Sequence, residues 1–346
     1  MSIEKSLRKI GIQPLEEITR EEKHNIIKNV AKSIISTFSY HKTDYCQMVN
    51  KMYNCKMSRA KIQEGLERVN YFYKNKTIYF DETLDLSKID ENITRECIHY
   101  IQNGNNQELE RMGLCVFEKF KVRGMALNEV AINFIVNKIF GKRESSKTQV
   151  LLKQMCLITG EDVLVDSSIN NNENFEEKFM EQTNTDILYF QIESNLDKMF
   201  DIEQKISKLM SEGRKSKNLK RIFKKVNIHK KELNQIFLET QWEIFSTYFN
   251  RKIQVINTLE QVENYKNELF DYNQWLEISI DDEIKYSLFS AEKIEKLERK
   301  EIEIIRRNSS TGLILFNNNP IFSIIRSIRK LIFSKPEDYE VGKQEK

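Results

Sequence analysis

Apolar side chains recur every three or four residues along most of this chain, and that spacing sets the first expectations. Ile26, Ile27, Val30, Ala31, Ile34 and Ile35 fall on one helical face. Thr19 and Glu22 precede them as a Thr-x-x-Glu capping box, so a helix is predicted from about residue 20 to 38. A second helical stretch is predicted over roughly 43 to 68. The pattern then changes. In "VNYFYKNKTIYFDE", residues 69 to 82, aromatic and β-branched residues flank Lys74-Asn75-Lys76, which predicts a hairpin.

Helical spacing returns after Asp81. Ser87 and Asp90 are candidate caps for a helix containing "ITRECIHYIQ", residues 93 to 102, with Gly104 as its stop. "VRGMALNEVAINFIVNKIFG" predicts another helix, with Ala126, Val130, Ala131, Phe134 and Ile135 on its apolar face. "KTQVLLKQMCLITG" predicts one more, ending at Gly160. The polar run "DSSINNNENFEE", residues 166 to 177, is expected to be a boundary or surface loop. Residues 186 to 308 are expected to be strongly helical, and their aromatics, Phe237, Trp242, Phe245, Tyr248, Phe249, Tyr265, Phe270, Tyr272 and Trp275, are expected in a core.

Composition supports a soluble, α-rich chain. Only 10 glycines and 3 prolines punctuate 346 residues, and 31% of the residues are charged. A formal charge of +3 is too small to imply a nucleic-acid partner. Five scattered cysteines without a CxxC pair argue for a reducing compartment. With no apolar run long enough for a signal peptide or a spanning helix, the expected location is cytoplasmic.

Charge is nonetheless unevenly placed. Residues 214 to 231, "RKSKNLKRIFKKVNIHKK", hold nine Lys or Arg and no acid, with Leu219, Ile222, Phe223 and Val226 at helical spacing. A second amphipathic segment, "IFSIIRSIRKLIF", covers 321 to 333 and is too short to span a bilayer. Lys220, Arg221, Lys224, Lys225, Arg326, Arg329 and Lys330 are therefore candidates for contact with an anionic surface. The plainer expectation is that both segments dock apolar stripes on neighbouring helices while their cations stay solvated.

Candidate chemistry centres on His99. Two histidines four residues apart on a helix can chelate zinc, with the glutamate beside the first acting as general base on the metal-bound water. Here Glu96 and His99 occupy two places of that His-Glu-x-x-His frame, and Arg95 occupies the place of the first histidine. Thirty residues after His99, "LNEVA" supplies Asn128 and Glu129. A hairpin, a motif helix and a later glutamate-bearing helix together resemble the gluzincin branch of zinc metallopeptidases. The stretch "MGLCVFEKFKVRGMALNEVA", residues 112 to 131, is similar to a clostridial-type branch of that family, and the likeness covers about residues 60 to 165.

The resemblance implies a zincin-like core over 61–165, between an N-terminal helical segment (1–60), a helical C-terminal region (166–308) and an amphipathic tail (309–346). It implies Glu96 as general base and His99 and Glu129 as zinc ligands. Arg95 breaks the pattern, because arginine is permanently protonated and offers a metal no lone pair. His24, His41 and His229 lack the spacing to replace the missing ligand. Cys97 could serve only on a distorted helix.

The leading expectation is a degenerate, non-hydrolytic zincin with no cofactor, in which Arg95 forks onto Glu129 or another carboxylate and the scaffold binds a protein or peptide. One rival is an active zinc peptidase using Glu96, His99, Glu129 and a non-standard first ligand. The other is a helical interaction protein that associates weakly with membrane surfaces through its basic segments.

Overall fold

The computed structural model describes residues 3–38, 45–103, 111–118, 121–143, 146–213, 219–278 and 282–308. Gly104 and the amphipathic segment at 321–333, with Arg326, Arg329 and Lys330, lie outside the described residues. The fold is α+β and mostly helical, with a four-stranded mixed sheet and a three-stranded antiparallel sheet.

Helix α1 (Ile3–Lys9) leads into strand β1 (Ile12–Glu17), then helices α2 (Arg20–Thr37) and α3 (Tyr45–Tyr53). The capping box at Thr19 forms as expected. Its Glu22 also receives Arg59 at 2.8 Å, which ties the start of α2 to the first sheet. That sheet runs β1-β2-β4-β3, with β2 at Lys56–Ile62, β3 at Val69–Phe72 and β4 at Thr77–Asp81. The predicted hairpin is β3–β4, closed through Lys76 at φ 53°.

Strand β2 corrects the expectation of a helix over 43 to 68. "KMSRAKI" is rich in good helix formers, yet it pairs antiparallel with β1 and parallel with β4. Backbone partners on both sides outweigh a propensity of a few tenths of a kcal/mol per residue. In β4, Thr77 to Phe80 are all buried, as a strand covered on both faces requires.

Helix α4 (Glu91–Asn103) starts where Asp90 Oδ1 accepts the Ile93 amide at 2.8 Å, so Asp90 is the cap and Ser87 is not. The small sheet follows as β5 (Arg111–Met112), β6 (Cys115–Glu118) and β7 (Lys121–Arg123), and Gly124 at φ 73° opens α5 (Met125–Ile139). Helices α6 (Lys147–Thr159), α7 (Glu161–Asn170) and α8 (Asn174–Thr183) come next.

Residues 166–177, expected as a loop or boundary, form the end of α7, a turn with Asn171 at φ 56°, and the start of α8. The polar side chains satisfy one another. Asp166 accepts from Asn170, Asn172 and Asn174, and buried Ser167 accepts the Phe175 amide at 2.9 Å. Four long helices finish the described chain: α9 (Ile187–Gly213), α10 (Leu219–Gln254), α11 (Leu259–Asn273) and α12 (Glu283–Asn308). One contiguous cluster of buried side chains runs from Ile26 to Ile304. Phe245, Phe249, Tyr265 and Tyr272 stack within it, as expected, but Phe270 is exposed.

A buried polar hub locks α4, α5, α7 and the small sheet together. Asn128 Oδ1 accepts the Leu114 amide at 2.9 Å, and its Nδ2 donates to Gln102 Oε1 at 3.0 Å. Gln102 Nε2 donates to Ser168 Oγ at 2.8 Å, while Asn171 bridges the Gln102 carbonyl and the Gly113 amide, each at 2.6 Å. At Gly113, φ is 60° and an added Cβ would overlap the Asn128 and Gln102 side chains.

Asn128→Ala strands the Leu114 amide and a Gln102 acceptor, and should lower stability by about 2–4 kcal/mol. Gly113→Ala should cost at least about 2 kcal/mol through strain and overlap. Shifts of the denaturant midpoint check both. A neutral result for Asn128→Ala would contradict the hub.

Candidate functional site

Glu96 joins α4 to the edge strand β3, with Arg95 beside it. Glu96 is 7% exposed and has both oxygens engaged. Its Oε2 accepts the Tyr71 amide of β3 at 2.8 Å, and its Oε1 accepts Arg95 Nε at 3.1 Å. The outer edge of Arg95 turns to Glu67, in the loop between β2 and β3, with Nη2 to Oε2 at 3.3 Å. Arg95 therefore forks onto Glu96 and Glu67, the carboxylates nearest it, and makes no ion pair with Glu129 among the described residues.

His99 lies one turn further along the same face. Its Nε2 is 3.6 Å from Glu129 Oε1 on α5. Opposite formal charges at that distance suggest an ion pair, but the electrostatics argue otherwise. Burial, assisted by the Arg95 charge, pushes the His99 imidazole down to about 4. Burial pushes the Glu129 carboxyl up to about 7, against the pull of Arg95 and with help from Glu96. Near neutral pH the imidazole is uncharged, so the pair is a close contact rather than a salt bridge. Burial also raises Glu96, although the Tyr71 amide and Arg95 oppose it. Arg95 resists burial because Glu96 and Glu67 hold its proton.

This donor set does not fit a catalytic zinc centre. Such a centre needs three protein ligands and an open position. Arg95 offers a metal no lone pair, and the Glu96 oxygens are committed to two donors. Cys97 is fully buried, and its thiol is driven well up by burial, so it points into the core rather than the cleft. No group of three or more His, Cys, Asp or Glu among the described residues is arranged to hold a metal ion.

The remaining candidates lie elsewhere. Asn128 turns into the hub, not the cleft. Lys220, Arg221, Lys224 and Lys225 are exposed on α10. Sequence reasoning missed Glu67 and Tyr71. Nothing in the residues around Glu67 signals a partner for Arg95, and the strand pattern at Tyr71 predicted a hairpin but not that its first strand would lie at a sheet edge beside α4. Also missed was the ion-pair clamp behind the site. Glu176 of α8 receives Arg111 at 2.9 Å and Arg123 at 2.8 Å, and Glu193 of α9 receives Arg123 at 2.9 Å.

No protein-family model matches the chain, and no curated protein or solved structure gave a significant match.

Glu129 generates a pH prediction. In the fold it keeps its proton up to about pH 7, against an ordinary value of 4.5. The folded state thus loses stability as pH rises from 4.5 to about 7, and the loss is complete above that. A third of the side chain meets solvent, so screening reduces the effect to about 1 kcal/mol. Glu129→Gln should accordingly be the more stable protein at pH 8 and match the parent near pH 5. Denaturation curves at the two pH values decide it, and an advantage that is the same at both would contradict the assigned burial.

Proposed function

We propose that the chain is a zincin-like scaffold whose cleft holds a guanidinium where a peptidase would hold a metal ion, and that it acts as a binding or regulatory module for a protein or peptide. The observation that carries this reading is the Arg95–Glu96 contact at 3.1 Å. It engages two hydrolytic roles at once. The ligand position is filled by a permanent cation, and the general-base position spends a lone pair on that cation. With the Tyr71 amide on the other oxygen, Glu96 has little capacity left to deprotonate a water.

The guanidinium also accounts for the tolerance of so many carboxylates near one cleft. Glu67, Glu96 and Glu129 would repel one another without a central positive charge, and Arg95 supplies it in a planar, directional form. Freeing Glu96 would break a charge-assisted bond to a largely buried carboxylate, at a cost of about 1.5–3 kcal/mol. A rival zinc peptidase needs that release and a third ligand besides His99 and Glu129.

Metal analysis separates the two. Protein purified without added metal should hold far less than one zinc per chain, and stoichiometric zinc would sink the proposal. Arg95→His should gain zinc through His99 and Glu129 while leaving Glu96 free. Failure of that variant to take up metal, with its fold intact by circular dichroism, would mean that these positions do not descend from a ligand set.

A further inference from the structure

The α9–α10 hairpin concentrates positive charge in a way the whole-chain balance conceals. The described residues 204–213 and 219–231 of these two helices contain eight Lys and Arg against a single acid, Glu212, a formal +7 in a chain of +3, so the remainder is −4. On α10, Lys220, Arg221, Lys224 and Lys225 are exposed, and none forms an ion pair with a carboxylate among the described residues. Lys205 and Lys208 on α9 add to the same end of the hairpin and are likewise exposed and unpaired. Some exposed cations elsewhere on the described surface do pair, as Lys296 and Arg299 do with Glu292 and Glu295, so it is the local density of cations, and not their lack of partners, that sets this end apart.

Burial separates this end from the body of the protein. Past Ile202 in α9, and ahead of Val226 in α10, no described hydrophobic side chain is fully buried. The two helices meet there where Gly213 of α9 approaches the Ile222 and Leu219 side chains of α10. Bulky apolar groups nevertheless stand in solvent between the cations. Leu219 and Phe223, one turn apart, are 49% and 51% exposed, Met210 is 43% exposed, and Ile228 is 56% exposed. Arg221, Lys224, Ile228 and Lys231 share one helix face by their spacing.

We propose that the basic ends of α9 and α10, at Lys205, Lys208, Lys220, Arg221, Lys224 and Lys225, dock on membranes rich in anionic lipid. Lysines and arginines would lie among the headgroups, while Leu219 and Phe223 reach the acyl boundary. Charge complementarity supplies the long-range attraction, and exposed apolar groups between cations are what an interfacial surface needs and a purely electrostatic one does not. A strand-tracking nucleic-acid surface would instead offer several aromatic faces along a groove, and this basic end carries one aromatic, Phe223. The inference is independent of the cleft: a metal-free or a metal-bound cleft would leave it unchanged.

The test uses the full chain and co-sedimentation with phosphatidylcholine vesicles, with and without phosphatidylserine. The parent should bind the anionic vesicles and not the neutral ones, and binding should weaken as salt rises. The combined variant Lys220→Glu, Arg221→Glu, Lys224→Glu and Lys225→Glu should bind at least about tenfold more weakly. A control with the same charge change at Arg8, Lys296, Arg299 and Arg307 should bind nearly as well as the parent. Phe223→Trp should show a blue-shifted gain in emission on anionic vesicles over the parent, and Phe223→Ser should bind several-fold more weakly, which guards against a misfolded quadruple variant. Equal loss in the control, retained binding in the hairpin variant, or equal binding to neutral vesicles would each overturn the proposal. Tighter binding of a labelled oligonucleotide than of vesicles at equal phosphate concentration would overturn it in favour of nucleic acid.

Discussion

The Glu96 carboxylate is almost entirely withdrawn from water, and its two oxygens must therefore be satisfied by the protein. One is met by the Tyr71 amide on the exposed edge of the mixed sheet, the other by Arg95. The first bond holds α4 against β3, so the helix axis and the strand edge cannot part without exposing an unpaired charge. The second fixes the guanidinium, which then draws in Glu67 from the loop that leads into the strand. The arrangement of the whole cleft follows from burying one carboxylate and supplying its partners.

Several residues between Met112 and Ala131 have a structural role. Gly113 fits a left-handed turn against the Asn128 and Gln102 side chains. Arg123 is clamped by Glu176 and Glu193, Gly124 turns the chain into α5, and Asp197 Oδ1 accepts the Ala126 amide at 3.1 Å. Asn128 closes the hub. These contacts seat α5 against the small sheet, α8 and α9, while Glu129 on the same helix lies beside His99.

Local signals were legible where local physics decides. The Thr19 capping box, the β3–β4 hairpin, the Asp90 cap and the apolar face of α5 each rest on residues within a few positions of one another. Strand β2 was not legible because its helix-forming residues are overruled by β1 and β4, partners that lie far away in sequence. The polar run at 166–177 reads as a loop until Asp166 and Ser167 are seen to bond their own neighbours. At the cleft, Arg95 lies against Glu96 and His99 lies beside Glu129, but the sequence assigned Arg95 no single partner. Glu67 reaches it through the strand order of the sheet, which no spacing rule contains.

Charge follows the same division between local and global. Summed over the chain, +3 gives no reason to expect an anionic partner. Folding pairs α9 with α10 and so brings the basic end of one beside the basic start of the other. Like charges brought that close repel, and a short hairpin end without a buried core of its own has little to offset the repulsion. Counter-ions or a fixed anionic surface relieve it. Leu219 and Phe223 tip that choice, since dissolved ions cover no apolar area, whereas a lipid interface covers apolar groups and neutralises cations together.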